Sequence, residues 1–485
     1  MSLFCGDIFL SLQIVFLNYI GMFDKQVYIS RRKRLLEQVR EGVILLLGNS
    51  EASCNYPDNQ YQYRQDSSFL YFFGLDKPDL AAVIDAESGE EWIFGDDVDI
   101  DDIIWMGPQP FIADQAAGVG VDRTAPFNAL ADCLKAAQQK GRKIHFLPPY
   151  RNYNKILLNR LLGLPLDGLR AAASVDLIKA VVALRLIKEP CEIEEIDKAC
   201  NLGYAMHLTA MKMMRLGMVE QKLVGVMEGV CKSGGVMTSF PTILSQRGET
   251  LHNHMHDAVL TEGNLCVIDA GVEIASHYCS DNTRTLPTGG KFTRKQKDIY
   301  EIVLTANDYA REAARPGVTY RDVHLGASKI IVQGLKNLGL LHGDVDEMVA
   351  AGVQGLFMPH GLGHNMGLDV HDMEDLGENY VGYDPDQVRS KQLGLGSLRM
   401  ARKLVPGHVI SDEPGIYFIP ALIEKWKSEG HNAQYIDFSK LESYYGFGGI
   451  RLEDDLLITP SGSRLLGAKR LPITVEEIEN TMYTD

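Results

Sequence analysis

The chain has 485 residues, too many for one ordinary hydrophobic core, so two large domains are expected. Its 45% hydrophobic and 23% charged residues describe a soluble globular protein. A net charge of −16 argues against a nucleic-acid or anionic-membrane partner and fits acidic residues gathered around cations.

Residues 1–22 read as an atypical N-terminal extension. Ile8 to Ile20 is mostly apolar, but Gln13 and Asn18 interrupt it, and it is short for a bilayer span. Asp7 is the only charge before it, so the basic start of a signal peptide is missing. Met22, just before Asp24-Lys25-Gln26, is a sensible alternative start. Residues 23–175 alternate helix and strand. Ser30 to Arg40 reads as a basic helix start. Val43 to Leu47, ending at Gly48, is a buried strand by length and flanks. Leu80–Ile84 and Trp92–Phe94 are two more strands, joined by a turn at Glu87-Ser88-Gly89-Glu90. Asp96 to Asp102 holds five aspartates and reads as a solvated loop without calcium-loop spacing. Lys143 to Leu147, before Pro148-Pro149, is a further strand.

A second domain is expected over 176–485. Pro190 suits the first turn of a helix whose stripe is Ile193, Ile196, Cys200, Gly203, His207, Ala210 and Met214. His207 on that stripe reads as a core histidine. Thr293-Arg294-Lys295-Gln296 is a capping box for a helix through Ala314, and Thr319 to Asp322 opens the next one. Cys5, Cys54, Cys133, Cys191, Cys200, Cys231, Cys266 and Cys279 are scattered with no C-x-x-C pair, which fits reduced thiols and a cytoplasmic location.

His360, His364 and His371 fall within twelve residues, with glycines between the first two. Pro359, Gly361 and Gly363 make a helix a poor choice; in an extended strand His360 and His364 still point the same way. Leu265 to Ile268 is an apolar strand ending in Asp269, and a carboxylate there is costly without compensation. Asp281, Glu413 and Glu453 follow in Ser280-Asp281-Asn282, Asp412-Glu413-Pro414-Gly415 and Arg451-Leu452-Glu453-Asp454. Each acid alone fits a turn, a cap or a salt bridge. Together, Asp269, Asp281, His364, Glu413 and Glu453 offer four carboxylates and one imidazole, enough negative charge for two divalent cations. That donor set suits Mn²⁺, Co²⁺, Fe²⁺ or Zn²⁺, and two such ions can share a hydroxide nucleophile near neutral pH.

These pieces, in this order, resemble the proline-specific pita-bread metallopeptidases: the Xaa-Pro aminopeptidases (aminopeptidase P) and the Xaa-Pro dipeptidases (prolidases). The matching segments are Ile268-Asp269-Ala270-Gly271, Asp281 with Thr283-Arg284-Thr285, His360 to His364, Asp369-Val370-His371-Asp372, Glu413 to Tyr417 and Arg451 to Asp455. Tyr63-Arg64-Gln65-Asp66 through Gly74 resembles the family's non-catalytic N-terminal domain. The resemblance covers nearly everything after Met22. It implies an α/β two-domain chain: an N-terminal α/β domain of the creatinase/aminopeptidase P type over 23–175, then an α+β pita-bread catalytic domain over 176–485.

By the same resemblance, Asp269 and Asp281 hold one metal, with Asp281 reaching both. His364 and Glu413 hold the other, and Glu453 bridges them, with Mn²⁺ the first choice. The bridging hydroxide attacks the scissile carbonyl and Glu413 shuttles the proton. His252, in Leu251-His252-Asn253-His254, matches a substrate-binding histidine, with His254 and His256 ranked lower. His371 contacts the peptide and steadies the tetrahedral intermediate. His360 lines the pocket near the proline, and Arg451 is a substrate contact or a support behind the ligands. The substrate is a small peptide with proline second, and the family is commonly homodimeric. The Xaa-Pro nitrogen carries no hydrogen, so a site reading this bond must do without that donor.

Gly396-Ser397-Leu398-Arg399-Met400-Ala401-Arg402 resembles a prolidase segment whose first arginine binds a dipeptide's carboxylate, and about thirty residues separate Tyr417 from Gly448, as in prolidases. The plain alternative makes Arg399 and Arg402 a surface pair. Dipeptidase is placed ahead of aminopeptidase P, which the Tyr63-Arg64-Gln65 region fits at least as well. A metal-free creatinase-like enzyme or a non-catalytic binding module would be expected to have lost ligands, and all five are present. Methionine aminopeptidase usually lacks the large N-terminal domain. Two departures stand out: Asp412 replaces an apolar residue before Glu413, and Asn253 replaces an aromatic residue after His252. A second carboxylate beside Glu413 is expected to raise its pKa or alter metal preference.

Overall fold

A computed structural model describes residues 22–235 and 237–483. The proposed extension therefore lies, apart from Met22, outside the described residues. The chain divides into two compact units after Leu184. Among the described residues, no helix is long and apolar enough to cross a membrane.

The first unit is built on a five-stranded mixed sheet. Its spatial order is Thr124–Ala125, Glu91–Phe94, Ala81–Asp85, Val43–Leu47 and Ile144–His145. Val43–Leu47 is the buried strand its apolar run predicts, antiparallel to Ala81–Asp85 and parallel to Ile144–His145. The first helix, Lys25–Gln38, starts before Ser30 because the Asp24 side chain accepts from Gln26 N. Its basic residues are not all at the surface. Arg31 and Arg32 are buried and donate to the carbonyls of Tyr71 and Phe72 at the end of the helix Ser67–Phe73. The acidic stretch is not all loop. Asp99 caps a helix, Ile100–Met106, and accepts from the amides of Asp101 and Asp102, so these acids serve a helix start.

The second unit is α+β. Its long helices are Pro190–Met213, Glu220–Gly234, Arg294–Ala313 and Tyr320–Asn337, and the first, third and fourth follow the expected start signals. Pro190 opens the first and Thr293 closes a capping box on the third. They pack with short antiparallel sheets in one apolar core. Leu265–Ala270 lies between Asn282–Pro287 and Ile243–Ser245. Val409–Asp412 pairs with Asp454–Thr459, and Gly415–Tyr417 with Gly449–Arg451. A single bridge, Thr283 to Glu453, joins the first of these sheets to the others. His207 is the core residue its stripe predicts: it is buried and its Nε2 lies 2.9 Å from the Ala270 carbonyl.

Arg284 clamps that junction. Fully buried, it donates to the carbonyls of Thr283, Glu453, Leu471 and Pro472 and to Asp454 Oδ1 at 2.6 Å. Removing it strands several buried acceptors, so Arg284→Ala should destabilise the chain by about 3 kcal/mol. A shifted urea midpoint with an unchanged slope would show this.

Candidate active site and metal centre

Period-two alternation decides which acids meet. In the Leu265–Ala270 and Asn282–Pro287 pair, Asp269 stands opposite Thr283. Thr283 Oγ1 donates to Glu453 Oε2 at 2.7 Å and accepts from Arg451 Nε at 3.2 Å. Arg451 Nη2 reaches Asp269 Oδ2 at 2.5 Å. One ligand atom from each of Asp281, His364 and Glu453 lies within 4.8 Å of the others. His364 Nε2 is 3.4 Å from Asp281 Oδ2 and 3.7 Å from Glu413 Oε1. Asp269 and Glu413 border this trio closely enough to raise the pKa of Asp281 and Glu453.

The histidine stretch is neither helix nor regular strand. It is a loop running antiparallel to Val409–Asp412 through one bridge, Asn365 to Ile410. Ser411 N donates to His364 O at 3.0 Å and Glu413 N to Leu362 O at 2.8 Å. The glycines are there for close approach. A Cβ on Gly363 would sit 2.1 Å from the Ser411 carbonyl oxygen, and one on Gly361 2.6 Å from the Leu398 Cα. This packing sets two imidazoles on either side of one acid: His360 Nδ1 is 3.9 Å from Glu413 Oε2, while His364 faces Oε1. His364 Nδ1 lies 3.1 Å from its neighbour's carbonyl, Asn365 O, which leaves Nε2 to the carboxylates.

The other predicted residues gather less evenly. The His371 ring lies 4.1 Å, centroid to centroid, from His364, and its Nδ1 is 2.5 Å from Glu374 Oε2. Buried Asp372, held by Arg185 at 2.7 Å and Lys188 at 2.9 Å, pins the backbone beside His371. His252 is the exposed member of the set, yet lost hydration and then Arg451 hold its pKa below the ordinary value. His256 Nδ1 is spent on the Leu244 carbonyl, and Asn253 donates to Ser245 Oγ. Arg399 and Arg402 are not a pair. Arg402 binds Asp384, whereas Arg399 lines a pocket with His364, His371, Glu374 and Glu378.

Burial raises Asp281 and Glu453 well above the usual carboxylate range, and neighbouring acids add to it. Burial also raises Glu413, while His364 and Arg451 offset part of the shift. Burial pushes His360 down to about 3 and His371 to about 4, so both are neutral near pH 7. Asp412 is fully buried and raised by that burial, then by Asp454. The groups acting most on Glu413 are His364, Arg451, Asp269 and Arg399 rather than Asp412.

Does this set fit cations? Asp269 Oδ1 and Asp281 Oδ1 are buried with no hydrogen-bond donor. Four acids share one low-dielectric space with one arginine among them, so their ionised forms repel. Hard oxygen donors plus one imidazole match divalent ions in type. The residues fit.

Three contributors escaped the sequence reading. Tyr417 accepts from Arg451 Nη1 at 2.7 Å and lies 3.0 Å from His360 Nε2, and Thr283 links Arg451 to Glu453. Both stand inside the quoted motifs without an assigned role. Glu374 follows His371 by three residues, and that spacing was the available signal.

The chain matches the family model of metallopeptidase family M24 over residues 194–460 and that of the aminopeptidase P N-terminal domain over 28–145. It is 33% identical to a human protein named Xaa-Pro dipeptidase, across 93% of this chain and 92% of that one. It is 31% identical to the Xaa-Pro aminopeptidase of Escherichia coli (strain K12), across 95% and 98%. Solved structures of E. coli aminopeptidase P, one with the inhibitor Pro-Leu and one zinc-substituted with product, superpose with TM-scores of 0.77 and 0.78 at 31% and 30% identity. Each match covers 95% of this chain and 98% of the other. A catalytic unit with these acids and histidines in this order, behind an aminopeptidase P-type N-terminal domain, makes the chain a member of metallopeptidase family M24.

Proposed function

We propose that the chain is a proline-specific exopeptidase that binds two divalent ions, Mn²⁺ first among them, and acts as an Xaa-Pro dipeptidase. The observation that carries the dipeptidase reading is Arg399, a cation in the pocket that His364 and His371 line. A guanidinium there suits the free carboxylate of a dipeptide. The second reading, an Xaa-Pro aminopeptidase acting on longer peptides, draws support from the near-complete overlay on aminopeptidase P.

Asp269, Asp281, His364, Glu413 and Glu453 would hold the ions. Bound there, the ions would lower the pKa of a water toward neutral and polarise a carbonyl. Glu413 takes the water's proton and returns it to the leaving proline nitrogen. Its burial-raised pKa suits a group that must both accept and give. Neutral His371, its Nδ1–H held by Glu374, turns an acceptor Nε2 toward the peptide. His360 lines the proline side. Its Nδ1–H faces the Gly361 carbonyl at 2.7 Å, and Tyr417 donates to its Nε2. His252, at the exposed edge, contacts the peptide, and Arg451 keeps Asp269 aimed inward.

The free state of the described cysteines supports a cytoplasmic location. A homodimer is the proposed assembly. The helix Ile100–Met106 has no buried residue, and Ile104, Trp105 and Phe111 expose 68%, 86% and 64% of their surface, an apolar face suited to a second copy.

A panel of Ala-Pro, Gly-Pro and longer Xaa-Pro-starting peptides with added Mn²⁺ tests the reading; a preference for the longer peptides would move it to aminopeptidase P. Arg399→Ala should cut kcat/KM for dipeptides about 100-fold, the loss of a charge-assisted pair, and far less for longer peptides. Glu413→Gln should lower kcat at least about 100-fold with the fold intact by circular dichroism. Asp281→Asn should weaken Mn²⁺ binding yet raise the melting temperature of the metal-stripped protein. The sign follows from its raised pKa: ionised Asp281 loses stability as pH rises above the ordinary carboxylate value of about 4. The gain should therefore widen from pH 5 to pH 8, and calorimetry at both would reveal it.

A further inference from the structure

Arg399 already has company. Its Nε is 3.3 Å from Glu374 Oε1 and 3.5 Å from Glu378 Oε1. Neither approach has the direction of a hydrogen bond, and Nε is buried without one. The two acids differ in what else holds them. Glu374 is fastened by His371 Nδ1. Glu378 instead has an alternative cation, Arg389, whose side chain is 37% exposed and whose Nε donates to the Gly396 carbonyl. Glu378 can leave Arg399 without being stranded; Glu374 cannot leave without releasing His371.

We propose that Glu378 is an internal stand-in for the substrate's terminal carboxylate: it neutralises Arg399 in the free enzyme and yields to an Xaa-Pro dipeptide, setting the preference between free-acid and longer substrates. This deepens the dipeptidase reading and rests on it. A planar guanidinium takes a carboxylate through two parallel hydrogen bonds, and the pair it exchanges is poorly directed, so the exchange is favourable. The resident acid still competes for the same charge and weakens the dipeptide's binding. Glu374 remains beside Arg399 throughout and acts as a positioning residue, holding the imidazole and the guanidinium in one frame.

The test compares Ala-Pro with Ala-Pro amide, which keeps the scissile bond and lacks the carboxylate, on Mn²⁺-loaded enzyme. Glu378→Gln should lower KM for Ala-Pro about three- to fivefold, the scale of one partly exposed ion pair, with little change in kcat. The ratio of kcat/KM for Ala-Pro over the amide should rise by the same factor. Glu378→Asp, which draws the charge back, should fall between. Calorimetric titration of metal-free protein with Ala-Pro gives the same comparison if the glutamine variant loses turnover, and tighter binding is again expected. Unchanged or weaker binding of Ala-Pro in Glu378→Gln, with Arg399→Ala still costing Ala-Pro far more than its amide, overturns the stand-in and leaves the dipeptidase reading standing. Equal losses on both substrates in Arg399→Ala dismiss Arg399 as the carboxylate clamp and take the stand-in with it, while the peptide panel decides the dipeptidase reading separately.

Discussion

The second unit is organised around a repulsion. Asp269, Asp281, Glu413 and Glu453 are brought into one space with little water to screen them, and burial is the leading cause of the upward shifts of Asp281, Glu413 and Glu453. A chain gains nothing in stability from such an arrangement alone. The surrounding structure is built to withstand it. Arg451 is tied to Asp269, Tyr417 and Thr283, and Arg284 locks the junction beneath, so the acids cannot relax apart. Cations of matching charge would turn the cost into a binding site.

The histidine loop solves a second problem, that of bringing imidazoles up to acids on the strands. Gly363 lets it lie against the Val409–Asp412 strand at backbone contact distance, which no side-chain-bearing residue there would allow. The orientation of each ring is then fixed from behind: His364 by a neighbouring carbonyl, His360 by Tyr417, and His371 by Glu374. Neutral imidazoles suit these places, since charged ones would compete with cations for the acids. Asp372, buried between Arg185 and Lys188, extends the same support to the backbone next to His371.

Much of this was legible in the residues. Apolar runs bounded by turns marked Val43–Leu47 and Leu265–Ala270, and capping signals marked the long helices, because these features are local. The Asp96–Asp102 stretch misled because aspartates serve equally as solvated loop residues and as helix caps, and only the hydrogen bonds of Asp99 distinguish the two. The burial of Arg31 and Arg32 was hidden for a similar reason: a basic run looks like a surface until carbonyls are found to receive it.

By itself the sequence determined the donor chemistry: which side chains are acids and imidazoles, and that proline and glycine would keep the His360–His364 stretch out of a helix. Only the tertiary structure decided which of the acids meet. Their partners lie up to 182 residues apart, as Arg451 and Asp269 do, and no local pattern encodes that distance. The same is true of the guanidiniums. Arg399 and Arg402 are three residues apart and alike in type, yet the fold sends one to Asp384 and the other to the histidine pocket, because what surrounds a charge is set by packing and not by its neighbours in the chain.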